Sequence, residues 1–477
     1  MRPRPFKTYR RREDGSGFQV RRNTLMLKFQ GQSSQLRGNV DSITGGVAVK
    51  IARIVITVFL AAGFVVAPPL LAQTSDSGSQ SKPRARDLGI PFDGAPGAFN
   101  AITDVAGVEV GYTTLISGEG KRIVGQGPVR TGVTAILPRG KASSESVFAA
   151  FYSGNGNGDM TGTHWVEENG VLETPVLITN TLSVGVVRDA AVEWMVKHDR
   201  FGPFWYPVVA ETSDGRLNDM KGQHVKKEHA LQALDSARGG PIEEGNVSGG
   251  TGMNCNGFKG GTGTSSRKLP ADQGGYTVGV LVQCNYGTRS EVRIAGIPVG
   301  REITGYEPCV AQRLDPPLRL PNGQVAPLCE PQVSSRAPLP EEAEQGSIIV
   351  VVGTDAPLTP DQLKRIVRRV SLGMGRMGSI HGNGSGDLFI AFSTANSGAD
   401  GGNSTPPDRA AVSSVQRLIG ERIDVLFTAT VQATEEAITN AMIAAETMTG
   451  ADYWRSYAIP HDQLQAVLRK HNRLREE

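Results

Sequence analysis

A small Gly-Ser pair stands where a polar loop meets a buried strand. Residues 337–345 are polar and acidic, and residues 348–352 are five β-branched side chains in a row, a composition typical of a core strand. Because glycine tolerates a strained backbone, the Ser347 hydroxyl could attack the Gly346 carbonyl and cut the chain. The new α-amine of Ser347, with a reference pKa of roughly 7.7–8.0, could then serve as the base for its own hydroxyl. This chemistry would define a self-cleaving hydrolase, and an ordinary strand entry is the alternative.

Three further side chains could assist the same hydroxyl. Asn285 ends a predicted strand shortly before Gly287, where its amide could donate to a tetrahedral oxyanion or simply form a turn. Ser385 and Asp387 share one face if the next strand begins early enough, and a hydroxyl beside a carboxylate could orient a protonatable amine. The alternative is a turn serine beside an edge aspartate. His381 is a competing base, as in a Ser-His-Asp triad, although nothing in the sequence fixes its geometry.

Several motifs, in order along the chain, resemble the family of L-aminopeptidase/D-amidase/D-esterase and β-peptidyl aminopeptidase enzymes. The resemblance covers roughly residues 86–450, nearly the whole body of the protein. The motifs that carry it are Arg-Asp-Leu-Gly-Ile-Pro-Phe at 86–92, the glycine-rich tract at 249–267, Val-Gln-Cys-Asn-Tyr-Gly at 282–287, Gly-Ser at 346–347 and Asn-Gly-Ser-Gly-Asp at 383–387.

This resemblance implies a fold, a processing step and a reaction. The fold would be α/β, a four-layer α/β/β/α sandwich similar to the N-terminal-nucleophile hydrolases but with different connectivity. The precursor would cleave itself between Gly346 and Ser347 into a large and a small subunit, and relatives assemble several such heterodimers into an oligomer. The reaction would release an N-terminal residue from a peptide, amide or ester, with no cofactor and no metal. The L, D or β configuration of that residue is left open.

Roles in the family transfer to the residues that match its motifs. Ser347 is the implied nucleophile and Asn285 the implied oxyanion donor, while Ser385 and Asp387 orient the amine. Members of that family carry Glu at the position of Asp387, and the aspartate side chain is one methylene shorter. This departure and the long insertion at 306–346 favour an alternative of another class, an exported binding protein of the same fold that stays uncleaved and inactive.

Trp205, Gly250 and Gly252 are candidates for contact with the substrate. Trp205 belongs to an aromatic cluster ahead of a predicted strand, and it could line a cleft or pack in the core. The two glycines permit close backbone approach and N–H donors that point into a cleft, or they form hairpin turns. A separate glycine-rich run at 154–162 lacks the pattern GxxxxGK followed by Ser or Thr, which argues against a phosphate-binding loop.

The elements around these residues follow from hydrophobic periodicity. Strands are predicted near 108–112, 132–138, 146–152, 174–181, 276–284 and 348–352. Helical spacing predicts one helix over 184–198 and another over 360–375. Residues 423–450 indicate a strand that passes into a helix.

Composition indicates a folded and exported protein. The 477 residues include 59 glycines and 20% charged side chains, typical of a loop-rich α/β protein. Residues 1–72 are basic and end in an apolar run that predicts a secretory signal peptide or a single membrane anchor. Without this leader the formal charge of +3 becomes mildly negative, and the body has no basic patch with interleaved aromatics, so nucleic acid is not an expected partner. We expect a periplasmic or secreted protein, bound to the membrane only if the leader is retained.

The chain therefore divides into a leader at 1–72, a linker at 73–85, a large subunit at 86–346 and a small subunit at 347–477. Export permits disulfides. Cys309 and Cys329 close a loop of about twenty residues inside the insertion and are predicted to pair, which would stabilise the fold by roughly 3 kcal/mol. Cys255 and Cys284 are predicted to be buried free thiols.

Overall fold

The computed structural model describes residues 82–198, 205–320, 322–329, 345–398 and 412–475. These residues belong to one unit that spans 78–477. The predicted leader, most of the linker and the loop directly before Gln345 lie outside the described residues. Within the described ranges, no helix is long and apolar enough to cross a membrane.

Fifteen strands and eight α-helices make up the regular structure of the described residues. The strands are β1 Glu109–Ser117, β2 Val129–Leu137, β3 Val147–Gly156, β4 Val171–Leu172, β5 Val176–Asn180, β6 Val208–Thr212, β7 Asn254–Cys255, β8 Phe258–Lys259, β9 Gly261–Lys268, β10 Thr277–Asn285, β11 Cys309–Val310, β12 Gln345–Thr354, β13 Gly384–Ser393, β14 Met448–Thr449 and β15 Trp454–Ser456. The helices are α1 Thr163–Asn169, α2 Val184–Lys197, α3 Lys227–Asp235, α4 Val299–Glu302, α5 Pro360–Val367, α6 Val370–Arg376, α7 Asp424–Ile443 and α8 His461–Lys470.

Two large sheets form the centre of the molecule. One has four strands in the order β1-β2-β5-β6, and the other has six in the order β4-β3-β13-β12-β10-β9. In the six-stranded sheet β12 lies between β10, which is antiparallel to it, and β13, which is parallel to it. The strand predicted to carry the nucleophile is therefore central and paired on both sides.

Three apolar clusters separate four layers. One lies between the four-stranded sheet and helices α2 and α3, and Trp194 is its largest side chain. A second lies between the two sheets and includes Ile178 of β5 and Ile349 of β12. The third lies between the six-stranded sheet and helices α5, α6 and α7, and it includes Val350 and Ile438. The predicted four-layer α/β/β/α sandwich is confirmed.

Two predicted elements differ from the structure. The helix expected over 360–375 is two helices, α5 and α6, joined by a turn at which Arg369 lies over the Phe427 ring of α7. Helical spacing along the chain does not reveal that tertiary contact. The strand expected at the start of 423–450 is wrong, because α7 is one continuous helix. Its apolar residues are buried on nearly every face, so the segment lacks the one-sided stripe that marks a surface helix.

All four cysteines form disulfides. The structure joins Cys309 to Cys329, the pair expected from the sequence, and joins Cys255 to Cys284. The prediction of free thiols at Cys255 and Cys284 is wrong. The hairpin of β7 and β8 folds back onto the end of β10, and this brings together two cysteines that are 29 residues apart in the chain.

Candidate active site

Ser347 lies near the start of β12, between two neighbouring strands. It is opposite Asn285 of β10 and opposite Gly386 of β13. Only 3% of Ser347 is exposed. Because residues paired across a sheet point to the same face, the Ser347 and Asn285 side chains are neighbours. That face is the one toward the four-stranded sheet, since Ile349, two residues further along β12, packs in the cluster between the sheets.

Gly346 has a backbone that only glycine adopts readily. Its φ angle is +121°, in the region that L side chains avoid. A Cβ placed on Gly346 would lie 2.0 Å from the backbone oxygen of Asn285, far inside any permitted contact. Gly346 is therefore held in close backbone contact with the end of β10.

The carboxamide of Asn285 is fixed at both of its ends. Its Oδ1 accepts a hydrogen bond of 2.9 Å from the backbone N–H of Asn254, and its Nδ2 donates one of 3.0 Å to the backbone oxygen of Ser213. An amide nitrogen carries two N–H groups, and Ser213 accepts from one of them. The geometry therefore presents a rigid, nearly buried amide beside the Ser347 side chain.

Ser385, Asp387 and His381 form a hydrogen-bonded chain on the adjacent strand. Ser385 Oγ donates to Asp387 Oδ1 at 2.6 Å, and Asp387 Oδ2 lies 2.5 Å from His381 Nδ1. Ser385 and Asp387 are fully buried. The structure thus brings Ser385 and Asp387 together, as the sequence predicts, and adds His381 to them. Among the hydrogen bonds of the described residues, His381 has none to Ser347, so no Ser-His-Asp triad with Ser347 forms.

This hydrogen-bonded group lies at the start of β13, which pairs with β12. Asp387 is on the same side of β13 as Phe389, which packs in the cluster against the helices, whereas Ser347 points the other way. Ser385 is paired with Gly346 and Gly386 with Ser347. The Ser385 hydroxyl and the Asp387 carboxylate therefore lie on the face of the sheet opposite to the Ser347 side chain.

Glu211 is a buried carboxylate near this candidate site, and the sequence analysis did not single it out. It lies in β6 and is 4% exposed, and its Oε1 accepts from the backbone N–H of Asp159 at 3.1 Å. A Cβ on the exposed Gly158 would lie 3.1 Å from that oxygen and 3.4 Å from the Cα of Gly386. Burial is the main cause that raises the pKa of the Glu211 carboxyl above its ordinary value, and the hydroxyl of Thr181 opposes this shift. The sequence feature that could have identified Glu211 is its position directly after the apolar run 207–210.

The remaining predicted contacts lie in packed regions. Trp205 packs against the apolar cluster between the four-stranded sheet and its helices. Gly250 and Gly252 are buried, and a Cβ on either would come within 2.3 Å of a backbone atom, Thr262 N and Arg130 O respectively. The structure gives all three a packing role, and their contact with a substrate stays a prediction.

The chain is similar to known peptidases over most of its length. The model of Peptidase family S58 matches residues 100–455. The beta-peptidyl aminopeptidase BapA of Sphingosinicella microcystinivorans is 52% identical over 413 residues, which are 86% of this chain and 97% of that protein.

Two solved structures share the fold at high sequence identity. The L-aminopeptidase D-Ala-esterase/amidase of Ochrobactrum anthropi, described as a prototype of the serine aminopeptidases and a variant of the Ntn hydrolase fold, is 44% identical with a TM-score of 0.70. The match covers 83% of this chain and all of that one. A beta-aminopeptidase of a Burkholderia species is 42% identical with a TM-score of 0.69, over 81% of this chain and 98% of the other.

Proposed function

Because the chain belongs to peptidase family S58 and is an aminopeptidase, we propose that it cuts itself between Gly346 and Ser347 and then uses Ser347 as its N-terminal nucleophile. One observation supports this most directly. The Gly346–Ser347 junction lies between Asn285 on one strand and Gly386 on the other, with Gly346 in a conformation that few other residues adopt. The proposed processing would leave a large subunit ending at Gly346 and a small subunit beginning at Ser347.

Processing would proceed by an acyl shift. Ser347 Oγ attacks the carbonyl carbon of Gly346, its proton passes to the leaving nitrogen of residue 347, and the peptide bond becomes an ester. Water then hydrolyses the ester, which releases the Gly346 carboxylate and restores the hydroxyl. The products are two chains and a free α-amine on Ser347.

The same groups would then carry out aminopeptidase chemistry. Ser347 Oγ attacks the carbonyl of the substrate's first residue while the α-amine of Ser347 accepts the proton. The second N–H of the Asn285 amide stabilises the oxyanion. The protonated amine donates to the leaving nitrogen, and water resolves the acyl-enzyme. The hydrogen-bonded groups of Ser385, Asp387 and His381, at the start of the neighbouring strand β13, would orient the α-amine of Ser347.

Glu211 would bind the ammonium group of the substrate. An aminopeptidase must distinguish a chain end from an internal peptide bond, and a buried carboxylate does so by pairing with the positive charge of the free amine. Glu211 is next to the exposed Gly158 and close to Gly386, which itself pairs with Ser347. This location would place the substrate's amine within reach of Glu211 and its first carbonyl at Ser347.

A gel and N-terminal sequencing test the proposal. The purified protein should separate into two fragments under denaturing conditions, and the smaller should begin with Ser347. It should also hydrolyse aminoacyl-nitroanilides, and the relative named beta-peptidyl aminopeptidase leads us to propose β-aminoacyl groups as the first substrates to assay. An intact and inactive chain would instead support a binding protein of the same fold.

Location and assembly belong to the same proposal. The basic and apolar leader of residues 1–72 supports export to the periplasm or beyond. We propose an oligomer of large-and-small-subunit heterodimers, as the family resemblance implies. Fractionation of cells and gel filtration of the processed enzyme would test these two points.

Replacing Asn285 by Ala should lower kcat by about 10²–10³, the usual loss for one oxyanion donor, and change KM little. The reason is that the amide acts on charge that develops only in the transition state. Asn285→Asp is the sharper comparison, since it keeps an oxygen for the Asn254 N–H but cannot donate to an oxyanion. Steady-state kinetics on a nitroanilide measure both variants, and an Asp variant with normal kcat would contradict the role.

Replacing Glu211 by Gln should raise KM for a substrate with a free amine by roughly ten- to a hundredfold, the value of a charge-assisted hydrogen bond. The wild-type enzyme should also lose affinity as pH falls through the Glu211 pKa, because protonation removes the negative charge. Since burial raises that pKa, the loss should begin at a higher pH than for an ordinary glutamate. Glu193→Gln, an exposed glutamate paired with Lys227, is the control. A Gln variant with unchanged KM would exclude the ammonium site.

A further inference from the structure

Lys259 is a fully buried lysine, separated from the proposed oxyanion donor Asn285 by one peptide group. It is 0% exposed, and its Nζ donates to the backbone oxygens of Met253 at 2.9 Å and Gly260 at 2.6 Å. No ion pair joins it to a carboxylate within the part of the chain that the structure describes. Burial lowers the pKa of its ammonium well below the usual value, and a neutral amine still carries two N–H donors, one for each carbonyl. Fully buried lysines that are not paired with a carboxylate are uncommon, so the burial of Lys259 against two carbonyl groups needs an explanation.

The Met253 carbonyl that Lys259 contacts belongs to the peptide group that also binds Asn285. The Met253 carbonyl and the Asn254 N–H belong to one peptide group, and that N–H donates to Asn285 Oδ1 at 2.9 Å. A donor on the carbonyl side of a peptide polarises its N–H, so hydrogen bonds in a chain strengthen one another. A continuous chain of hydrogen bonds therefore runs from Lys259 Nζ through the Met253–Asn254 peptide to the Asn285 carboxamide. The Nδ2 group of Asn285 is the last donor in this chain.

The Cys255–Cys284 disulfide holds the same two segments together. Cys255 directly follows Asn254, Cys284 directly precedes Asn285, and their Cα atoms are 5.5 Å apart. A covalent bond thus flanks the hydrogen bond between Asn254 and Asn285. The peptide that Lys259 contacts cannot easily move away from the amide that it supports.

We propose that Lys259 is a positioning residue for the oxyanion hole, which holds and polarises the Met253–Asn254 peptide so that Asn285 presents its second N–H to the reacting carbonyl. The inference rests on the proposed function, in which Asn285 stabilises the oxyanion. Lys259 itself touches no reacting atom. Its effect should therefore appear in the transition state, as a change in kcat, and only when Asn285 is present.

A double-mutant cycle tests this inference. We would measure kcat and KM on an aminoacyl-nitroanilide for the wild type, Lys259→Met, Asn285→Ala and the double variant. Lys259→Met keeps the hydrocarbon chain and removes the donors, and it should lower kcat about three- to tenfold with KM nearly unchanged. In the Asn285→Ala background the same change should have no further effect on kcat, because the amide it supports is gone. Lys268→Met, an exposed lysine on the neighbouring β9, is the control and should match the wild type.

The outcomes distinguish the inference about Lys259 from the proposed function. An active wild type with losses that multiply independently in the double variant would overturn the inference and leave the proposed function in place. A wild type that is inactive would overturn both. If Lys259→Met fails to fold, Lys259→Gln provides a second variant with two N–H donors on a shorter chain. It should retain more kcat than Asn285→Ala and show the same non-additive cycle, and additive losses would again overturn the inference.

Discussion

Ser347→Ala is expected to leave the protein as one uncut and inactive chain. The variant lacks the oxygen that would attack Gly346, so the ester cannot form, and without cleavage the α-amine that would act as base is never released. Loss of a serine nucleophile alone lowers kcat by roughly 10⁴-fold or more. A denaturing gel measures the processing, and nitroanilide hydrolysis measures the activity.

The control for this prediction is Ser347→Cys, which keeps a nucleophile of similar size. It should process at least in part, whereas Ser347→Ala should not, and both should still fold, since each substitution changes only one buried side-chain atom. Full activity in an uncut Ser347→Ala chain would show that another residue is the nucleophile. Cleavage at the same bond in that variant would show that another protease does the cutting.

The sequence was informative where chemistry depends on local order along the chain. A loop, a Gly-Ser pair and a β-branched run are adjacent in sequence, so the location of Ser347 at a strand entry could be predicted. Ser385 and Asp387 are two residues apart, and period two alone places them on one face. Asn285 could be placed at the end of its strand, although only the family resemblance gave it a role.

What the sequence could not provide was the pairing of distant segments. Asn285 is opposite Ser347 only because β10 and β12 are neighbours in that register, a tertiary fact. Glu211 approaches Gly386 from the other sheet, and Cys255 meets Cys284 through a hairpin that folds back. The burial of a charged side chain could not be predicted either, because no residue near Lys259 in the sequence indicates that this lysine is fully enclosed.

Gly346→Ala is expected to slow self-cleavage by about a hundredfold or more and so to leave most of the chain intact. The new Cβ would lie 2.0 Å from the Asn285 backbone oxygen, and alanine resists a φ of +121°. The backbone must therefore move, and it takes the Gly346 carbonyl away from Ser347 Oγ. Misplacement by about 1 Å can cost about 10²-fold in rate. Time courses of processing on a gel would measure the effect.

The same substitution should spare the aminopeptidase step, which separates the two reactions of Ser347. After cleavage residue 346 is only the end of the large subunit, so large and small segments expressed as separate chains, with Ser347 freed at the terminus, should be active whether residue 346 is Gly or Ala. Gly185→Ala is the matched control, since Gly185 is exposed in α2 and an added Cβ would meet no atom within 4 Å outside its own stretch of helix, and it should process normally. Rapid processing of Gly346→Ala would mean that the tight contact with Asn285 does not set the geometry of the cut. Processing that is blocked while the separated chains stay active would assign that contact to self-cleavage alone.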